Sequence, residues 1–166
     1  AAAEPKGGAT AKAKEPGTKA DPPADPRTEL YSGLALRSIG PAVTSGRIAD
    51  LAVDPTDSTR FFVAVAAGGV WRTENAGVTF EPVFDGEGSF AIGSVAIAPS
   101  DPMVVWVGTG ENNMQRVVAY GDGVYKSIDG GKSWKNMGLS KSFQTGRIVI
   151  HPANPEVVYV GALGRL

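Results

Sequence analysis

The side chains that could do chemistry in this chain are few, and their spacing groups them. Arg47 and Arg147 each follow a glycine and open an apolar run, Gly46-Arg47-Ile48 and Gly146-Arg147-Ile148. A guanidinium presents a planar fork of N–H donors, so two of them close together could hold a carboxylate-bearing ligand. Each could equally be paired with a neighbouring acid or carbonyl of the protein itself. A long polar stretch from Thr109 to Asp122 adds Glu111, Asn112, Asn113, Arg116 and Tyr120 as hydrogen-bonding groups. A shorter one, Phe84-Asp85-Gly86-Glu87-Gly88-Ser89-Phe90, adds Asp85 and Glu87. These nine residues are the candidate ligand-binding set. No catalytic residue stands out. One His and no Cys exclude a zinc site built from His and Cys. Nothing near His151 suggests a nucleophile triad. Gly68-Gly69 opens a strand pattern and not a helix, so there is no phosphate loop. Neither a metal nor a cofactor is expected.

A second group of polar residues reads as structural. Ser127-Ile128-Asp129-Gly130-Gly131-Lys132-Ser133-Trp134 has the form S-x-D-x-G-x-S-W. Asp129 can accept from backbone N–H groups further along and so close a turn. Gly131 tolerates positive φ. Ser127 can cap the loop from the other side, and Trp134 can anchor the hairpin on its sheet. Thr73-Glu74-Asn75-Ala76-Gly77-Val78-Thr79-Phe80 repeats the spacing, with Thr73, Asn75, Gly77 and Phe80 at the corresponding places.

The elements that must position these residues repeat as well. Pro55, Pro99 and Pro152 lie 44 and then 53 residues apart. Each is followed by an apolar run holding an aromatic: Phe61-Phe62-Val63-Ala64, Val105-Trp106-Val107-Gly108, Val158-Tyr159-Val160-Gly161. Each is preceded by a Gly-led apolar run, in which Ser94 answers to Arg47 and Arg147. Third runs, Gly69–Thr73 and Gly123–Ser127, lead into the two hairpins, and fourth runs follow them. Four short strands per unit is the content of a propeller blade. The expectation is an all-β, incomplete β-propeller of antiparallel four-stranded blades. Blade one falls at about 46–84, blade two at about 93–138, and an unfinished blade three at about 144–166. Phe62, Trp106 and Tyr159 share one position, and Trp71 and Tyr125 another, which suggests packing between blades. Asp57, Asp101, Asn154 and His151 read as turn residues. Antiparallel order puts both hairpins on one rim and the candidate binding residues on the opposite rim, so Asp129 is expected to be structural.

Over roughly residues 40–166 the chain resembles the Asp-box (bacterial neuraminidase repeat) β-propellers, on the strength of the Asp129 and Asn75 motifs. That group includes sialidases, xyloglucan-active glycoside hydrolases, sortilin-type receptors and photosystem assembly factors. Within it, Gly-Gly-Val-Trp-Arg-Thr resembles large secreted bacterial proteins described as sortilin-like or glycosyl-hydrolase-like. Glycoside hydrolysis needs two carboxyl groups across the scissile bond. The xyloglucan-active relatives carry one just before a Gly-Gly-x-aromatic-Arg strand, where this chain has Ala66 and Ala67. The sialidase pattern needs an Arg cluster, a Tyr nucleophile and a helper Glu. Arg47, Arg147, Tyr120 and Glu111 are available for it, with no spacing that ties them together. The resemblance therefore implies a non-catalytic, extracytoplasmic binding or scaffold module for a protein or glycan partner, with the role of accessory subunit of a larger complex open to it. The alternative is a fragment of a secreted glycoside hydrolase whose catalytic carboxylates lie in absent blades.

Composition narrows the partners. Sixteen basic and 17 acidic residues give a net charge of −1, which argues against a general affinity for nucleic acid or anionic membrane. No apolar run approaches the roughly 20 residues of a membrane helix. Residues 1–29 hold five basic and five acidic side chains with almost nothing apolar and read as a flexible tether, leaving 30–166 for the partial propeller. A start at Ala-Ala-Ala fits a mature terminus after signal-peptide removal, hence a secreted or periplasmic protein; a cloning boundary would read the same. A strand 157–160 without third and fourth strands beside it would leave one edge unfilled, with Val158 and Val160 or Tyr159 partly bare. A protein partner that completes or packs on this blade is expected.

Overall fold

The computed structural model describes residues 47–112 and 118–164. The expected tether at 1–29, residues 30–46, and the candidate residues Asn113 and Arg116 lie outside them. The described residues form ten strands and no helix, as the repeat requires. Strands β1 (Ile48–Val53), β2 (Phe61–Val65), β3 (Gly69–Thr73) and β4 (Glu81–Pro82) make one sheet in chain order. Strands β5 (Ile92–Ala98), β6 (Asp101–Thr109), β7 (Val124–Ser127) and β8 (Lys135–Gly138) make a second. Strands β9 (Thr145–His151) and β10 (Asn154–Ala162) pair into a third sheet of two strands. Every pairing is antiparallel. Short polar turns join the strands. Asp57, Asp101 and Asn154 each accept a backbone N–H two residues on, at 2.9, 3.0 and 3.0 Å, and His151 Nδ1 accepts from Ala153 at 3.2 Å. All four cap turns, Asp57 within its turn and Asp101, His151 and Asn154 from the strand ends that border theirs.

Register shows how the sheets correspond. Each innermost strand, β1, β5 and β9, carries an irregularity that leaves one residue without a partner: Ala49, Gly93 and Gly146. The residues just after it are Asp50, Ser94 and Arg147, paired with Ala64, Gly108 and Gly161. This corrects the sequence alignment. Arg47 precedes β1 and is not the counterpart of Ser94 and Arg147; Asp50 is. The Gly-Arg-Ile triplet at 46–48 imitates the one at 146–148, but it lies three residues too early relative to its proline.

Alternation along the strands gives each sheet two apolar faces. On the first sheet, Ala52, Phe62, Ala64 and Val70 face the second and join Val95, Val105, Val107 and Tyr125 in the main core. On the second sheet, Val104, Trp106 and Val124 face the third and join Ile148 and Ile150, with Val158 and Val160 packed against them. The matched aromatics obey this rule until the third sheet. Phe62 pairs across from Ala52, Trp106 from Ala96, and Tyr159 from Val149. Phe62 is 1% exposed and Trp106 8%, each under the following sheet, whereas Tyr159 is 66% exposed. Tyr159 is thus not a core aromatic here. It stands with Val149 and Val157 on a bare face, while Val158 and Val160 are covered by the second sheet.

The same register position should therefore cost differently in different sheets. Phe62→Ala should lower unfolding free energy by about 3–5 kcal/mol, and Tyr159→Ala should change it by less than about 0.5 kcal/mol. Urea unfolding of both variants measures this. Equal losses would show that Tyr159 is buried in solution.

Candidate functional site

Antiparallel order places the loops between β2 and β3, β4 and β5, β6 and β7, and β8 and β9 on one rim. The β3–β4 and β7–β8 hairpins lie on the other. The hairpins are built as their residues suggested. Asp129 Oδ1 accepts from Lys132 and Ser133 N–H, both at 2.9 Å, and Oδ2 accepts from Ser133 Oγ at 2.5 Å. Ser127 Oγ donates to Asp129 at 2.7 Å and accepts from Gly131 N–H at 2.8 Å. Asn75 accepts from Thr79 N–H at 2.9 Å, and Thr73 Oγ1 accepts from Gly77 at 3.0 Å, so the weaker copy keeps the scheme. Phe80 packs edge-on to Phe61 with 6.1 Å between ring centres. These donors, Ser133 first and then Ser127 and Lys132, hold the Asp129 carboxyl well below the usual carboxylate range despite opposing desolvation.

The Trp134 anchor points elsewhere than expected. Its indole N–H donates to Val83 O of the first sheet at 2.6 Å, and its ring stands edge-on to Phe84 at 5.3 Å. Arg72 of the first sheet donates to Gly130 O in the hairpin at 2.9 Å. Gly131 has φ of 84°, and a Cβ there would lie 2.8 Å from the Phe62 ring. The second sheet's hairpin is thus a clasp on the first sheet as well as a fastening to its own, where Gly130 N–H donates to Met103 O at 2.9 Å. Sequence spacing reports that a Trp ends the motif but not which sheet receives it.

On the opposite rim the candidate residues separate into two groups. Arg47 is ion-paired with Glu111, which is 4% exposed. Asn112 donates to Gly146 O at 3.1 Å, beside Arg147. Arg147 itself is exposed and lines a groove of about 270 Å³ along the three innermost strands together with Asp50. Asp50 was not singled out by sequence. It accepts from Ser94 Oγ at 2.9 Å and from Val95 N–H at 3.1 Å, and Ser94 Oγ accepts from Ile148 N–H at 3.2 Å. One polar chain therefore ties the three innermost strands together.

Asp85 and Glu87 belong to the second group, a notch of about 470 Å³ bordered by Gly68, Trp71, Ser89 and the exposed Phe90. Burial and then the nearby Asp122 push the Glu87 carboxyl up. Asp122 is another residue that sequence reading passed over. It accepts from Tyr125 Oη at 2.6 Å and from Thr109 Oγ1 at 3.2 Å. Tyr125 is pushed up by burial and by that bond. Tyr120 is in edge contact with Phe143 at 5.4 Å. The structure thus joins Arg47 to Glu111 and puts Asp85 beside Glu87, but Arg47 and Arg147 do not share one carboxylate-binding fork. Among the described residues no group of three or more acids and histidines is placed to hold a metal.

No family model matches the chain, and no curated protein matches it. Solved structures do. An ancestral GH74 enzyme matches at TM-score 0.52 and 21% identity, over 69% of this chain and 16% of that one. YCF48 from Cyanidioschyzon merolae matches at 0.50 and 24%, over 71% and 35%. A GH74 enzyme from Niastella koreensis gives 0.47 and 27%, over 60% and 15%. This chain thus spans about a sixth of the GH74 enzymes and about a third of YCF48. With the sheet order, the first two likenesses show that the fold is a β-propeller, and each sheet is a blade.

A depressed carboxylate contributes stability above its unfolded pKa of about 4 and loses it as pH falls through the folded value. The wild type should therefore lose stability below about pH 4, and Asp129→Asn should show a shallower acid limb. Asp129→Ala should cost roughly 1–3 kcal/mol at pH 7, because the turn amides lose their acceptor. Urea unfolding across a pH series checks both. Identical acid limbs would show that Asp129 is not held by these bonds.

Proposed function

We propose that this chain is a non-catalytic β-propeller binding or scaffold module that works outside the cytoplasm and engages a protein partner through the exposed face of β9 and β10. In this reading the two hairpins are Asp boxes with a structural task, and the chain is kin to sortilin-like secreted proteins. The observation that carries the proposal is the contrast at one register position: Phe62 and Trp106 buried, Tyr159 bare. Among the described residues β10 has one ladder partner, β9. An exposed apolar face favours association. The accessory-subunit role fits the same surface.

A glycan ligand is the second reading, favoured by the notch where Asp85, Glu87, Ser89 and the exposed Phe90 meet. An aromatic edge with carboxylates suits a sugar, and Arg147, Asn112 and Tyr120 would be further contacts on that rim. The alternative of a hydrolase whose carboxylates lie in absent blades predicts nothing catalytic from this chain. Ala66 stands buried where relatives carry an acid. Xyloglucan and sialoside substrates should stay intact with this protein. Hydrolysis abolished by Glu87→Gln or Glu111→Gln would contradict the non-catalytic reading.

Size-exclusion chromatography with light scattering on the full chain tests association through the β9–β10 face. Concentration-dependent association that Tyr159→Asp reduces is the expected result. A monomer at all concentrations, unchanged by Tyr159→Asp, would overturn it.

A further inference from the structure

Asp85 and Glu87 differ from every other described carboxylate. Each of the others has a hydrogen bond or an ion pair within the chain. Asp85 and Glu87 have neither. Both line the notch of about 470 Å³, and no Lys or Arg stands among the described residues that line it with them. Arg72 and Lys132 share a second hollow of about 390 Å³ with the two acids. Arg72 is held there by Glu81 at 2.7 Å and by Gly130 O at 2.9 Å, and neither cation pairs with Asp85 or Glu87. The walls of the notch belong to blade one and to its connection with blade two, which are described throughout.

The connection fixes the acids in place. Glu87 N–H closes a turn on Phe84 O at 3.2 Å, Gly69 N–H donates to Phe90 O at 2.9 Å, and Gly110 N–H donates to Ala91 O at 2.7 Å. A Cβ on Gly88 would collide with the Asp122 carboxylate, which Tyr125 and Thr109 hold from the other side. Glu87 is therefore half-buried near a second carboxylate, with no cation to offset it. Like charges held together on an ordered segment repel, and an incoming cation relieves that repulsion with little further ordering.

Phe90 gives the notch an apolar edge, 65% exposed on a backbone tied to blade one. A guanidinium is planar, stacks on an aromatic face and forks its N–H donors to carboxylates. A neutral sugar could use the ring but would leave both charges unpaired. From the unpaired acids and this edge we propose that the notch takes an arginine side chain from a segment of a protein partner. Its guanidinium lies between Asp85 and Glu87, against the Phe90 ring. The inference rests on the protein-partner reading and adds a second surface to the β9–β10 face.

The probe is the blocked peptide Gly-Ser-Arg-Ser-Gly, titrated into the full chain and followed by backbone NMR. Amide shifts should centre on residues 67–71 and 84–91. Citrulline in place of the peptide's Arg keeps the shape and removes the charge, and should weaken binding about 10-fold or more. Asp85→Asn with Glu87→Gln in the protein should do the same. Asp85 is exposed and glutamine matches glutamate in shape, so this variant should keep its spectrum away from the notch. Phe90→Ser should weaken binding about 3-fold. No shifts at millimolar peptide, shifts confined to other surfaces, or equal binding of the citrulline peptide would overturn the proposal. Tighter binding of cellotetraose at the same amides would also overturn it and give the notch to a glycan. Association through Tyr159 that persists when the notch fails these tests would leave the β9–β10 reading standing and remove arginine from the notch.

Discussion

Each sheet in this protein is apolar on both faces, and that constraint governs the rest. A four-stranded sheet with Phe62, Ala64 and Val70 on one side and Val63, Val65 and Trp71 on the other cannot leave either face in water. It must be sandwiched between neighbours. Polar contacts also join the sheets at the outer edge. The Asp129 hairpin provides them by offering Gly130 O to Arg72 and taking Val83 O with Trp134. At the inner edge, the chain from Asp50 through Ser94 to Ile148 does the equivalent. The hydrophobic term supplies most of the energy, and the two polar sets fix the rotation of one blade on the next.

Much of this fold could be read from sequence, because its signals are local. The three prolines, the alternating apolar runs and the spacing of the two hairpins need no knowledge of tertiary contacts. The internal bonding of Asp129 and Asn75 was legible for the same reason, since donors and acceptors lie within four residues of each other. Relations between blades were harder. The direction of Trp134 depends on which face of which sheet the hairpin meets. The equivalence of Asp50 with Ser94 and Arg147 depends on a strand irregularity at Ala49 that no residue type announces. A chance Gly-Arg-Ile triplet drew the alignment to Arg47 instead.

The rim shows the same division. Sequence placed Glu111 and the acidic 84–90 connection on one side of the molecule, and the loop order agrees. It could not say that Glu111 would be neutralised by Arg47, which uses up one of the two guanidiniums proposed for a ligand. It also passed over Asp122, whose position under Tyr125 and near Glu87 arises only when two blades are packed together. Among the described residues, the Asp85–Glu87 notch and the Arg147 groove are open to solvent.

Burial by the next blade, not strand sequence, determines how firmly each strand is held. Amide hydrogen exchange of the full chain tests it most directly. Strands β2 and β6, whose aromatics are covered, should exchange slowly over residues 62–64 and 105–107. Residues 157–160 of β10, equally rich in β-formers, should exchange at least 100-fold faster when the chain is dilute and without a partner. Equal protection of all three strands under those conditions would contradict the account.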